Sequence, residues 1–290
     1  MRLVIVATCL ALGTLPSTAT SAGCPAYAER AEETGHVPAV LPELSGLAAS
    51  RRHPGIYWAH NDSGHGLVLY AIREDGALVA AFSLRGGSAV DPEDVAVGPC
   101  ASGSTRSCVY LADTGDNLHG RSRVRIFRVE EPDSLRAGPL AATVLPFVYA
   151  DGPHDVEALL VDPHTAELYL VTKALFSLGD VYRIDGVGAR ALGKAVRLQA
   201  VPTPPDLDAL TIAASVHPSG ERLLLRSYRF VWELRRPGAE RLADVLTATP
   251  TRVPTAAHGL GEAVSYSADG MGYLLGGEGA RSPLFRVRCR

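Results

Sequence analysis

Asp155-Val-Glu157-Ala-Leu-Leu-Val-Asp-Pro163 is the clearest copy of a unit that recurs along this chain. Each copy opens on a polar residue, usually acidic. A short apolar run follows, then a turn, then a second run ending in charged residues. The copies read Ser45-Gly-Leu-Ala-Ala49, Glu93-Asp-Val-Ala-Val97, Glu157-Ala-Leu-Leu-Val161, Ile212-Ala-Ala-Ser-Val216 and Glu262-Ala-Val-Ser-Tyr266. Successive copies are roughly 48 to 64 residues apart, the repeat length of a propeller blade rather than of a helical solenoid.

The third copy predicts four strands: Glu157–Val161, Glu167–Thr172, Asp180–Asp185 and Lys194–Ala200. Second strands at Ile56–Ala59, Val109–Ala112, Arg222–Leu225 and Gly272–Leu275 line up with it. So do third strands at Leu69–Arg73, Val124–Val129, Phe230–Leu234 and Leu284–Arg288. Asp75-Gly76 and Asp269-Gly270 are turn dipeptides at hairpin positions. The fifth copy lacks its fourth strand, while an unpaired strand is expected at His36–Leu41. If that strand fills the gap, the ring closes and no sheet edge stays open. The expected fold is therefore all-β, a five-bladed β-propeller whose N-terminal strand completes the last blade. A sixth blade would have to fit within Arg136–Asp155, which is too short.

Composition and processing signals agree with this reading. The 290 residues carry a formal net charge of −3, so no basic footprint points to nucleic acid. Arg2, the apolar run Leu3–Leu15 and Thr20-Ser-Ala22 form a signal-peptide pattern, expected at 1–22, ahead of a single domain at 23–290. A lipoprotein reading at Cys24 is weakened by Ser21, where a lipobox prefers Leu. No run is long enough for a membrane span. The expected location is secreted, extracellular or periplasmic, and the expected state a monomer. Cys9 leaves with the signal. Cys24, Cys100, Cys108 and Cys289 remain, an even number in an oxidising compartment. Cys100 and Cys108 flank a Gly/Ser turn, and Cys24 and Cys289 lie where a closed ring brings its ends together. The expected bridges are Cys100–Cys108 and Cys24–Cys289.

In such a ring, residues at the start of each first strand and the end of each second strand converge on one channel mouth. The first set holds Glu43, Ser45, Asp91, Glu93, Asp155, Glu157, Asp208 and Glu262. The second holds His60, Asn61, Asp62, Asp113, Asp116, Asn117, Lys173, Arg226, Tyr228 and Glu278. Carboxylates packed this closely raise one another's pKa or demand a counter-cation. Oxygen ligands in this number suit Ca²⁺. The candidate metal ligands are Glu93, Asp113, Asp116, Glu157 and Glu262. Lys173 and Arg226 either neutralise acids or hold an anionic group, and His60, Asn61, Asp62 and Tyr228 are candidate ligand contacts. His119, His154 and His258 read as loop residues, and Trp58 and Trp232 as core. Asn61-Asp-Ser63 matches a glycosylation sequon. No nucleophile elbow, zinc-protease helix or phosphate-cradling loop is present.

Pro42-Glu-Leu-Ser-Gly-Leu47, Trp58-Ala-His-Asn-Asp62, Asp91-Pro-Glu-Asp-Val-Ala96, Leu111-Ala-Asp-Thr-Gly-Asp-Asn117, Asp155-Val-Glu-Ala-Leu159, Leu225-Arg-Ser-Tyr228 and Gly261-Glu-Ala-Val264 resemble a family of secreted bacterial propellers of mostly unassigned activity. The Asp-Thr-Gly-Asp-Asn piece is the most specific. More distantly, the layout looks like the phytase-like and calcium-apyrase-like propellers. That likeness implies an acidic mouth binding Ca²⁺ beside a phosphorylated substrate. The fourth copy departs from the pattern, with Ile212 and Ser215 where an acidic or polar ring member is expected.

Two functions follow as expectations. The first is a Ca²⁺-dependent hydrolase of a phosphate ester or similar anion, with Glu157 orienting water and Lys173 and Arg226 holding the anion. The second is a non-catalytic binding propeller, with a structural metal and a small molecule, peptide or glycan at the mouth.

Overall fold

A computed structural model describes residues 24–204, 209–256 and 261–290 of the chain. The expected signal segment 1–22 and two expected mouth-side residues, Asp208 and His258, lie outside the described residues.

The chain is all-β and propeller-like, and its only described helix is the four-residue α1 (Leu242–Val245). After β1 (Glu32–His36), an antiparallel meander runs through β2 (Leu44–Ala49), β3 (Ile56–Asn61), β4 (Val68–Arg73) and β5 (Leu78–Arg85). The next comprises β6 (Pro92–Pro99), β7 (Ser107–Asp113), β8 (Val124–Glu130) and, after the short β9 (Gly138–Ala141), β10 (Thr143–Tyr149). β11 (Val156–Val161), β12 (Leu168–Thr172), β13 (Asp180–Asp185) and β14 (Gly193–Ala200) form a third. β15 (Ala213–Val216), β16 (Arg222–Arg226), β17 (Val231–Arg235) and β18 (Thr251–Val253) follow. The chain then ends in β19 (Gly261–Tyr266), β20 (Gly272–Gly277) and β21 (Pro283–Arg288).

The apolar run of each copy becomes an inner strand. β2, β6, β11, β15 and β19 each pack beside the next, and β19 returns to β2, so the circuit closes around a channel. Their burial is nearly continuous because both faces are covered. The core lies between neighbouring meanders. Trp58 and Phe82 pack with Val109 and Phe127, and Tyr169 and Val181 pack with Leu223 and Trp232. Full burial of each such side chain contributes about 1.5–3 kcal/mol. Trp58 and Trp232 are core residues, as the sequence reading expected.

The N-terminal strand is real but earlier than the sequence suggests. β1 pairs antiparallel with β21, matching Glu32 to Arg286 and His36 to Pro283. Val37 and Leu41, which made His36–Leu41 look like the strand, are instead buried beneath it in a loop with Leu44, Leu274 and Leu284. The disulfide Cys24–Cys289 fastens the two chain ends, with Cα atoms 5.4 Å apart. It closes nearly the whole described chain, which the chain-entropy model values on the order of 5 kcal/mol. Cys100–Cys108 spans the β6–β7 turn, with Cα atoms 4.9 Å apart.

Residues 138–149, left without strands in the sequence reading, tie the outer edges. β9 pairs in parallel with β5, and β10 pairs antiparallel with β8 and in parallel with β14. The β10–β14 pairing merges two meanders into one eight-stranded sheet. Among the described residues, no helix is long and apolar enough to cross a membrane. The two disulfides are compatible with an extracellular or periplasmic location.

Candidate functional site: an acidic channel mouth

The repeat builds the site through a recurring irregularity. In β2 the register jumps from Leu44 opposite Asn61 to Gly46 opposite His60, leaving Ser45 in a bulge. Glu93 occupies the same place between Pro92 and Asp94, Glu157 between Val156 and Ala158, and Glu262 between Gly261 and Ala263. A bulge sets two residues against one and re-aims a side chain. Here all four bulged residues line one cavity of about 180 Å³. The β15–β16 register has no such shift, and the residue before it is the buried Ile212. The copy that breaks the acidic pattern is therefore the copy that lacks the bulge.

The ends of the second strands supply the other wall, with Asp62 after β3, Lys173 after β12, Tyr228 after β16 and Glu278 after β20. Asn117 completes it.

Charge dominates this cavity. Lys173 Nζ donates to Glu157 Oε1. Burial opposes the charge on Lys173, but the Glu157 carboxylate outweighs it and holds the ammonium above its usual value. Burial pushes Glu157 up to about 7, reinforced by Asp155 and Asp62 and resisted by Lys173. Burial, then Glu278 and Glu157, push Glu262 up to about 8. Glu93 lies well above its usual value, through burial and then the fields of Glu157, Asp62, Asp91 and Asp155. Asp62, Asp91 and Glu278 are raised as well, first by burial and then by one another or by Glu43.

Glu93 is the centre of this group. It is only 4% exposed, and no hydrogen bond or ion pair reaches its carboxylate among the described residues. Oxygens of Asp62, Asp91 and Glu93 lie within 4.8 Å of one another, and so do oxygens of Glu93, Asp155 and Glu157. Glu93 belongs to both sets. Gly115 lies directly against them: a Cβ there would run into Glu93 Oε1 and Asp91 Oδ2. That close approach accounts for the glycine in Asp113-Thr-Gly-Asp-Asn117.

The same motif corrects two expected ligands. Asp113 is fully buried, but its oxygens are taken by Arg121 Nη2 at 2.8 Å and Arg125 Nε at 2.7 Å. It also accepts the amide of Asp91 at 2.9 Å. Asp116 accepts the amides of Gly120 and Arg121, while its own amide donates to Asp155 Oδ1 at 2.8 Å. Neither lines the cavity, and neither belongs to the metal-competent sets. Both hold the loop that carries Gly115 and Asn117. The oxygens that converge with Glu93 and Glu157 belong instead to Asp62, Asp91 and Asp155. Asp91 and Asp155 were legible at the mouth, each two residues before a bulged glutamate, but nothing in the sequence ranked them above Asp113.

The other expected residues separate likewise. Asp62 and Tyr228 line the cavity. Arg226 does not: it is buried, donates from Nη1 to Ala263 O at 2.8 Å, and packs against Gly261. Burial lowers it to about 10, against the pull of Glu262. It joins β16 to β19 rather than facing a ligand. Asn61 is buried; its Nδ2 donates to Val40 O and its Oδ1 accepts the Glu43 amide, so the sequon asparagine is enclosed. His60 is also enclosed. Its Nδ1 donates to Asn61 O at 2.9 Å, its Nε2 has no partner among the described residues, and burial lowers it to about 4, so the ring is neutral. His119 and His154 stand in loops, with His154 against Asp151 and Tyr182.

This arrangement offers clustered hard oxygens, one ammonium and one phenol in a space large enough for an ion and a small group. The donor set fits a divalent cation of the Ca²⁺ type, which takes six to eight oxygens.

No family model matches the chain, and no curated protein matches it. Among solved structures it is similar to the WD40 repeats of RRP9, at 13% identity and a TM-score of 0.41, over 85% of this chain and 67% of that one. It is also similar to an auxiliary nutrient binding protein from Bacteroides thetaiotaomicron, at 9% identity and a TM-score of 0.45, over 90% of this chain and 72% of that one. Both likenesses concern the fold alone.

Proposed function

We propose that this chain is an exported five-bladed binding propeller, one domain over residues 23–290, whose acidic mouth holds Ca²⁺ and offers it with Lys173 to an anionic ligand. The blade count rests on dividing the eight-stranded sheet at its β10–β14 pairing, which leaves one inner strand per blade. The single observation that carries the binding reading is Glu93: a buried carboxylate without a partner among the described residues, shared by two sets of converging oxygens.

Asp62, Asp91, Glu93, Asp155 and Glu157 would hold the ion, with Glu262 across the cavity. Bound there, the ion would neutralise charge that Lys173 alone cannot offset, and would polarise an oxygen of an anionic ligand. Lys173 would orient the ligand's anionic group from the Glu157 side, and the Tyr228 hydroxyl would face it. A ligand that binds only the folded state stabilises it by about 2.7 kcal/mol at a hundred times its dissociation constant. The melting temperature should therefore rise in millimolar calcium relative to chelator. Glu93→Gln should shrink that rise, whereas Glu240→Gln, at an exposed position, should leave it intact. Equal melting temperatures in calcium and chelator would remove the cation from this reading.

Phosphate-ester hydrolysis is the second reading, and a specific feature favours it: Glu157, held near neutrality beside Lys173, is suited to accept a proton from water. A phosphoester panel with and without chelator separates the two readings. Turnover that Glu157→Gln abolishes, and that calcium high enough to saturate the variant does not restore, would establish the hydrolase. No turnover on any ester would leave the binding propeller.

A further inference from the structure

The channel has a second end. The inner strands that start at the acidic mouth finish about 13 Å away, taking four residues at about 3.3 Å each. There Leu47, Val95, Val97, Leu159, Val161 and Val216 enclose a cavity of about 330 Å³. Its chemistry is the reverse of the mouth's. The lining is mostly aliphatic, with Tyr266, three serines and Arg51, and no carboxylate among the described residues lines it.

The polar groups that do reach it are already used. Ser265 Oγ accepts the Ala49 amide at 2.9 Å, Ser215 Oγ accepts the Tyr266 amide at 3.0 Å, and Ser267 Oγ donates to Asp269 at 2.6 Å. Asp94 crosses the channel between the two ends and spends its oxygens on the amides of Val95, Leu159 and Ala214.

Arg51 is the exception. It lines this cavity from the β2–β3 turn and makes no hydrogen bond or ion pair among the described residues. Its neighbour Arg52 is paired with Asp133. The two carboxylates whose fields reach Arg51 are Glu131 and Asp162. Glu131 is taken by Ser50 Oγ, by Trp58 Nε1 at 2.7 Å and by the Arg52 amide. Asp162 is taken by the amides of His164, Thr165 and Leu242. Arg51 is thus an exposed guanidinium at the rim of an apolar cavity, open to solvent and without an acceptor among the described residues.

The geometry points to a second binding site at this end of the channel, for a small amphipathic monocarboxylate, with its hydrocarbon body among the inner-strand aliphatics and its carboxylate on Arg51. The planar guanidinium fork matches a carboxylate bidentately. One cation offsets one negative charge, so a phosphate dianion would leave charge stranded against hydrocarbon. The volume falls at the lower end of ordinary small-ligand pockets, about 300–1,000 Å³. This site is independent of the acidic mouth and of any cation there.

Titration with octanoate in the presence of chelator tests it. Octanoate should bind saturably with one site, and octylamine, with the same chain and the opposite charge, should not. Arg51→Gln should weaken octanoate about tenfold or more, the loss expected of one charge-assisted hydrogen-bonded contact. Ala49→Phe, at a part-exposed lining position, should fill the cavity and abolish binding while the circular dichroism and melting curve show a folded protein. No saturable binding by the wild type, equal binding of octylamine, or unchanged affinity in Arg51→Gln would each overturn the proposal.

Discussion

Asp94, on β6, accepts the amide of Ala214, on β15, at 3.3 Å, with the same oxygen that accepts the amide of Leu159, on β11, at 2.9 Å. One carboxylate thus ties three inner strands across the channel. Inner strands pair on one edge only, so their other amides need partners from outside the sheet. Ser215 and Ser265 serve the amides of Tyr266 and Ala49 in the same way. Burial raises Asp94 well above its usual value even though three amides favour its charged form. Asp94→Ala removes an acceptor from three buried donors, each costing about 1–3 kcal/mol if left unmet. We expect a loss of at least about 3 kcal/mol in urea unfolding, and a smaller loss for Asp94→Asn, which keeps one acceptor oxygen. An unchanged urea midpoint in Asp94→Ala would show that these amides find other partners.

The mouth predicts an unusual pH dependence. Glu157 and Glu262 are raised to about 7 and about 8 in the folded state, so the folded protein binds more protons than the unfolded chain above the ordinary glutamate range. Stability must then fall as pH rises from about 4.3 toward 8. Without a cation, the protein should be more stable at pH 5 than at pH 8.5, by on the order of 2–5 kcal/mol. Glu262→Gln should flatten the slope, and calcium should do the same by rewarding the ionised form. Chelated protein that grows more stable between pH 5 and 8 would contradict this charge arrangement.

Asp113 and Glu93 are both buried acids near the mouth, but their substitutions should differ in kind. Asp113→Asn breaks the grip of Arg121 and Arg125, and loss of one partner from a buried ion pair costs about 3–5 kcal/mol. The shift produced by calcium should survive in the folded fraction. Glu93→Gln relieves repulsion, so the chelated protein should become more stable while its calcium response shrinks. Melting curves of the two variants, each with calcium and with chelator, read both effects. Asp116→Asn provides the milder check on the same loop. A calcium response lost in Asp116→Asn and kept in Glu93→Gln would return the ligand role to the Asp-Thr-Gly-Asp-Asn loop.

Much of the fold is written locally. The strand expected at Asp180–Asp185 is observed with those bounds, because alternation along a strand and turn residues at its ends are short-range properties. The column Ser45, Glu93, Glu157 and Glu262 was legible for a related reason: repeated units fold alike, so equal positions face the same channel. What remained illegible depends on partners distant in sequence. β1 has an exposed, polar pattern and becomes a strand because β21 offers it an unpaired edge, while the more strand-like Val37 and Leu41 are drawn into the core. β9 is a strand because β5 lies beside it. Asp113 and Asp91 are alike in sequence, acids near the end or the start of a strand. Two arginines pair with Asp113 and, among the described residues, none pairs with Asp91, which leaves one carboxylate matched by cations and the other pressed against Glu93. The type of side chain belongs to the sequence, but its charge state and availability follow from which groups the fold brings within reach, because desolvation and pairing act over a few ångströms of space rather than along the chain.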